Sequence, residues 1–219
     1  MDTGHPRSPR PRRFRPHSGA AGALAAGVVL FLALGAPGGT APEDFGGPPS
    51  ATGRPGAEEH EQPPGAGAED GAGAPVRVSV DRVGLTAQVV PVGVEDDGGA
   101  EVPEDPRLVG WYRFGPAPGA PAGSAVLMGH VDAHTGALGE FARLYDVREG
   151  DRVTVERDAA ESVHYRITGR ETVAREALPE WTFRRDGDPV LTLITCAPPY
   201  TADGGYRNNV VVTAVPEDG

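Results

Sequence analysis

"PVLTLITC", residues 189–196, is an uncharged, β-rich run that ends in the only cysteine of the chain, and "APPY" (197–200) follows it at once. Continuous apolar runs of this length, bounded by turn residues, read as central strands buried on both faces. A second such run, "GSAVLMGHV" (123–131), carries His130 near its end. Outward from these two, "VRVSV" (76–80), "LTAQVVPVGV" (85–94), "DRVTVER" (151–157), "VHYRITGRETV" (163–173) and "NNVVVTAV" (208–215) also have strand pattern, with turn chemistry such as "EDDGG" (95–99) between them. Helical pattern is scarce, confined to "GEFARLYDV" (139–147) and "REALPEW" (175–181). Many short strands separated by Gly, Pro and Asp turns indicate a barrel or a sandwich. The expectation is an all-β fold, a closed barrel with short helices, over residues 76–216.

The 219 residues are not uniform in composition. All basic residues are Arg, and five of them (Arg7, Arg10, Arg12, Arg13, Arg15) fall in residues 1–18, which carry a net charge of +4. The remainder carries −15, so the main body lacks the basic footprint that nucleic acid requires. Residues 19–36, "GAAGALAAGVVLFLALGA", hold no charge; as a helix they span about 27 Å, close to a bilayer core. They read as a single-span anchor, with the Arg cluster in the cytoplasm, or as a secretory signal with small residues at a cleavage site. Either way the C-terminal part is exported. Residues 37–75 contain ten Gly and eight Pro, with Phe45 the sole aromatic. Such a stretch buries too little apolar surface to offset its ordering entropy and is expected to be a disordered linker.

An exported chain with one cysteine carries either a reactive thiol or a small buried hydrophobe. Chemistry at Cys196 needs a thiolate, which a nearby His stabilises before protonating a leaving amine. At reference pKa values only about 3% of thiol is ionised at pH 7, so the surroundings must assist. An oxyanion formed on an acyl carbon needs fixed donors or positive charge, and an Arg fork supplies both. Arg207, at the head of the "NNVVVTAV" strand, is the candidate.

These residues are similar to those of a known family. "TLITC" (192–196) resembles the TLxTC signature of sortases, the membrane-anchored cysteine transpeptidases of Gram-positive bacteria. "GHVD" (129–132) resembles their histidine segment, and "YRNNVVV" (206–212) falls where they carry an active-site Arg. "VGWYRFGPAPG" (109–119) ahead of "AVLMGHVD" is most like actinobacterial class F sortases. The resemblance implies an eight-stranded sortase β-barrel. It implies that Cys196 attacks the Thr–Gly bond of an LPxTG-like signal on a secreted protein, and that an amine from a peptidoglycan precursor resolves the thioacyl-enzyme. His130 would be acid and base, Arg207 would hold substrate and oxyanion, and Thr195 would contribute to substrate binding. No cofactor and no metal are expected.

Other readings fit parts of the chain. A sortase-like thiol hydrolase passes through the same intermediate. An L,D-transpeptidase is disfavoured, because Ile194 and Thr195 precede the cysteine where that family has an SHGC-type motif. A tethered extracellular binding module would keep Cys196 inert. "HVDAH" (130–134) lacks a further ligand cluster, so Asp132 and His134 read as turn residues. Trp111, Tyr112 and Phe114 read as core packing, His164 as the outer face of a strand and Asp203 as a turn former.

Overall fold

The computed structural model describes residues 41–47, 73–96, 98–133 and 135–217. The basic tail 1–18 and the apolar segment 19–36 lie outside the described residues, as do His134 and most of 37–75. Eight strands form one closed barrel: β1 (Pro75–Val80), β2 (Leu85–Val92), β3 (Leu108–Tyr112), β4 (Ser124–Gly129), β5 (Arg152–Arg157), β6 (Ala160–Ala174), β7 (Val190–Thr201) and β8 (Gly205–Pro216). Around the barrel they run β1-β2-β3-β4-β7-β8-β6-β5, with β5 pairing back to β1. Two neighbouring pairs are parallel, β2–β3 and β4–β7. The helical segments are short 3-10 turns at Asp81–Val83, Glu140–Asp146 and Glu180–Phe183.

Side-chain alternation sorts the barrel wall into two faces. Leu127 of β4, Leu191, Leu193 and Ala197 of β7, and Val210 and Val212 of β8 fill the interior with Trp111, Phe141 and Tyr165. The intervening residues Val126 and Met128 of β4 and Ile194 of β7 form a second apolar cluster outside the wall with Val92, backed by Ala100, Val102, Tyr112 and Phe183. Strands β4 and β7 are therefore covered on both sides, which is why they carry no charge. Every residue of β4 is buried, and β7 is buried from Val190 to Thr195.

Two elements depart from the sequence pattern. β3 is five residues long with Gly110 at its centre, too short and too interrupted for a periodic signal. β7 continues through both prolines to Thr201, because the β7–β8 register shifts between Ala197 and Tyr200 and the prolines sit in that irregularity. Asn208 Nδ2 closes the gap by donating to the Pro198 carbonyl at 2.7 Å.

The expected disorder of 37–75 does not hold for residues 41–47, which dock on β6. The Phe45 and Arg170 main chains exchange two hydrogen bonds of 2.9 Å. The Phe45 ring lies 5.0 Å from the Arg170 guanidinium, whose Nη2 donates to the Glu43 carbonyl at 2.6 Å. Asp44 Oδ1 accepts the Thr172 N–H at 2.8 Å. The single aromatic of the stretch thus finds a buried cation, an interaction that composition averages conceal. Gly46 permits the close approach: it sits at φ +70°, and a methyl there would fall 2.0 Å from the Thr168 carbonyl oxygen. Gly46→Ala is expected to release the segment, costing about 1–3 kcal/mol of local stability. Amide exchange checks this: the Phe45 and Arg170 N–H groups should lose protection while β4 and β7 keep theirs, and unchanged protection at both would contradict it.

Candidate active site

β4 and β7 run parallel with Met128 beside Ile194. Two residues further along each, on the same outer face, come His130 and Cys196. On the other side of β7, Cys196 pairs with Asn209 of β8, and Arg207 lies on that same face two residues away. The barrel therefore lines up His130, Cys196 and Arg207 on the outer face of three adjacent strands, β4, β7 and β8. Cys196 and His130 are half-buried, Arg207 is exposed and Asn209 is buried. Thr195 has the opposite parity. Its side chain joins Leu193 and Ala197 inside the barrel, 2% exposed, with no hydrogen-bond partner for its Oγ1. The structure does not bring that hydroxyl to the Cys196 face.

His130 is held by its backbone and its ring. Gly139 passes so close that a methyl on it would lie 2.2 Å from the His130 carbonyl oxygen, and Gly139 N–H donates to the Val131 carbonyl at 2.9 Å. The ring Nε2 is 2.8 Å from the Pro103 carbonyl oxygen. A carbonyl only accepts, so Nε2 carries the proton in this bond, and Nδ1 is the nitrogen left to exchange protons with a reactant.

Cys196 sits in a mixed field. Burial pushes its thiol up, the Arg175 guanidinium pulls it down, and Asp132 pushes it up. Burial dominates because an anion in apolar surroundings loses hydration. Beneath it, Tyr145 of the Glu140–Asp146 turn donates its hydroxyl to the Cys196 carbonyl at 2.8 Å. Burial, with the nearby Cys196 and Asp132, holds that phenol at about 12, so it remains a donor at physiological pH. The Tyr206 hydroxyl donates to Asp132 Oδ2 at 2.7 Å, tying the loop after His130 to the strand of Arg207. Burial first, and then this bond, push Tyr206 well up. Asp132 thus engages Tyr206. His164 is exposed and Trp111 is buried, as the sequence pattern implies.

Sequence reading missed Arg175, Tyr145 and Asn209. Each lies on a neighbouring strand or turn: register places Arg175 and Asn209, and a hydrogen bond to the Cys196 carbonyl places Tyr145. Among the described residues no group of three His, Cys, Asp or Glu side chains is placed to hold a metal ion.

A face presenting one Cys with His and Arg on neighbouring strands of a closed eight-stranded barrel holds the types of group that thiol-based acyl transfer uses. The Sortase domain matches residues 78–217, and the chain belongs to the sortase family. Its chemistry is that of a sortase-type cysteine transpeptidase. The fold is similar to sortase C-1 of Actinomyces oris (20% identity, TM-score 0.51, 65% of this chain and 73% of that one). It is also similar to sortase C1 of Streptococcus agalactiae (19%, 0.50, 69% and 72%) and to sortase A of Corynebacterium diphtheriae (20%, 0.50, 67% and 61%). No curated protein matches the chain.

Alkylation of Cys196 by iodoacetamide is expected to rise with pH through a midpoint above the ordinary thiol value, because burial outweighs the nearby guanidinium. Asp132→Asn removes the charge that opposes the thiolate and is expected to move that midpoint down. A rate-against-pH profile for both proteins decides it, and an upward move on substitution would refute this electrostatic picture.

Proposed function

We propose that this sortase cleaves an LPxTG-like signal between Thr and Gly on secreted proteins and transfers the acyl group to a cell-wall amine. The observation that supports the reading is strand register: His130, Cys196 and Arg207 fall on one face of the neighbouring strands β4, β7 and β8 or directly beyond their ends. His130 takes the thiol proton as Cys196 Sγ attacks the Thr carbonyl carbon, and Arg207 faces the oxyanion that forms. The Thr–Gly C–N bond breaks as His130 delivers a proton to the departing Gly nitrogen, leaving a thioester. An incoming amine then attacks the thioester carbon, loses a proton to His130 and expels the thiolate. A peptidoglycan precursor suits the role of amine donor, and class F sortases are the subgroup whose sequence motifs are most similar.

The charge pattern of the N-terminus supports anchoring. The uncharged 19–36 segment behind an Arg-rich tail fits a single span with a cytoplasmic N-terminus and an extracellular barrel. Among the described residues no helix is long and apolar enough to cross a membrane; segment 19–36 lies outside them. Thr195, facing inward, supports the nucleophile's strand rather than the peptide.

Intact-mass spectrometry of the full chain with an LPxTG-type peptide tests the reading. An acyl mass is expected on the parent and not on Cys196→Ala, and His130→Ala should slow its appearance about a hundredfold or more. A thiol that alkylates readily yet acquires no acyl mass from such peptides would remove the assigned signal. A thiol that resists alkylation until unfolding would remove the nucleophile itself.

A further inference from the structure

The β6–β8 ladder does not stop at the end of β6. Ala174 pairs with Asn208, and one step on, the Arg175 N–H donates to the Arg207 carbonyl at 2.9 Å. Arg175 therefore stands directly opposite Arg207. Register also fixes the face: Val173, Asn209 and Cys196 form one cross-strand row, and two residues along that row lie Arg175 and Arg207. Both guanidinium groups reach the same hairpin turn. A methyl on Gly205 would lie 4.0 Å from Arg175 Nη1, and one on Gly204 would lie 3.3 Å from Arg207 Nη1.

Like charges placed opposite one another across a ladder destabilise it, and folded proteins normally separate or neutralise them. The chain has 31 acidic residues against 20 Arg, and it uses them elsewhere. Arg77 meets Glu156, Arg82 meets Asp151, Arg107 meets Asp105, and Arg152 and Arg166 share Glu217. Among the described residues no carboxylate pairs with Arg175 or Arg207. Both are exposed, half-way around a face that also carries the nucleophile. Arg175 is moreover the cation whose charge favours the Cys196 thiolate, against Asp132.

We propose that Arg175 and Arg207 form a paired-guanidinium receptor on the Cys196 face, and that Arg175 there binds a carboxylate of a peptide reactant. The inference rests on the reading of Cys196 as nucleophile with Arg207 beside it, and it assigns Arg175 a binding role that the motifs do not contain. Planar guanidinium forks match carboxylate geometry, and one anion between two cations relieves their repulsion. The carboxylate belongs either to the sorting peptide or to the amine acceptor.

Two alkylating reagents of similar size, iodoacetate and iodoacetamide, test the receptor on the full chain at low ionic strength. Both need the same thiolate, so their rate ratio cancels any change in thiol ionisation and reads the field felt by the reagent's carboxylate. Arg175→Gln is expected to lower the iodoacetate-to-iodoacetamide ratio about threefold, Arg175→Lys to restore most of it, and molar salt to shrink the difference. An unchanged ratio in Arg175→Gln overturns the receptor even where acyl transfer persists. A native thiol inert to both reagents overturns it together with the nucleophile reading. Two further arms locate the carboxylate. Loss of preference for glycine over glycinamide as acceptor in Arg175→Gln assigns it to the amine. Slower thioacyl formation from a Glu-bearing peptide, but not from its Gln counterpart, assigns it to the donor. If neither preference changes, Arg175 binds no reactant carboxylate.

Discussion

The parallel pairing of β4 with β7 is the constraint on which the site depends. Both strands are covered inside by the barrel core and outside by the Val92–Val126–Met128–Ile194 cluster, so a polar side chain along them needs a buried partner or goes unpaired, as Thr195 Oγ1 does. The Ser124–Thr192 hydroxyl pair, 2.8 Å apart, satisfies this requirement internally. Polar chemistry is admitted only where the covering ends, and because the strands are parallel they end at the same rim. His130 and Cys196 emerge there side by side. An antiparallel pairing of the same two segments would place them at opposite ends of the barrel. The parallel arrangement needs a long crossover, and the chain between β4 and β7 supplies it as the Glu140–Asp146 turn, β5, β6 and the Glu180–Phe183 turn. The crossover is also used chemically: the first turn delivers Tyr145 beneath the cysteine, and the end of β6 delivers Arg175 beside it.

Much of this was legible in the sequence because it follows from short periods. The doubly buried strands show as uncharged runs, the half-buried ones as alternation, and the two functional residues as the points where uncharged runs stop. The parity that turns Thr195 inward was legible too, since Leu191, Leu193 and Thr195 share one face by the period of two, and Cys196 takes the other. The rest depends on long-range register. β3 draws its place from a parallel partner twenty residues earlier in the chain, which no local window contains. Arg175 stands in "REALPEW", a charged segment with weak helical pattern, and reads there as a solvated surface charge. Only the Val173–Asn209–Cys196 row shows that it faces the thiol.

The same geometry sets the electrostatics of the thiol. A thiol at the edge of a doubly covered strand keeps much of the burial of that strand, and burial opposes its ionisation. Arg175 and Asp132 pull in opposite directions, so the fixed charges only partly correct this. Peptide binding alters the balance in a definite direction. It covers the site further, which on its own would suppress the thiolate, so the gain must come from the groups that meet the developing negative charge. On the proposed reading these are His130 and the guanidinium groups on β8 and at the end of β6.

The folded unit also extends further towards the N-terminus than strand pattern implies. Arg170 lies on the interior face of β6 and is 7% exposed. Its Nη1 donates to the carbonyls of Tyr145 at 2.6 Å and Val147 at 3.0 Å, while Nη2 donates to the Glu43 carbonyl at 2.6 Å. Its direct partners are main-chain carbonyls and the face of Phe45, and the nearby carboxylates of Asp44 and Asp146 favour its charge against burial. A buried cation deprived of such partners costs far more than a lost surface contact. A barrel cut at residue 76 would remove Glu43 and Phe45 together and leave half of that guanidinium unsatisfied. The other half holds the backbone of Tyr145, whose hydroxyl bonds the Cys196 carbonyl. Residues 41–47 are thus bonded to the same side chain that holds the backbone of Tyr145, and they pack as part of the barrel.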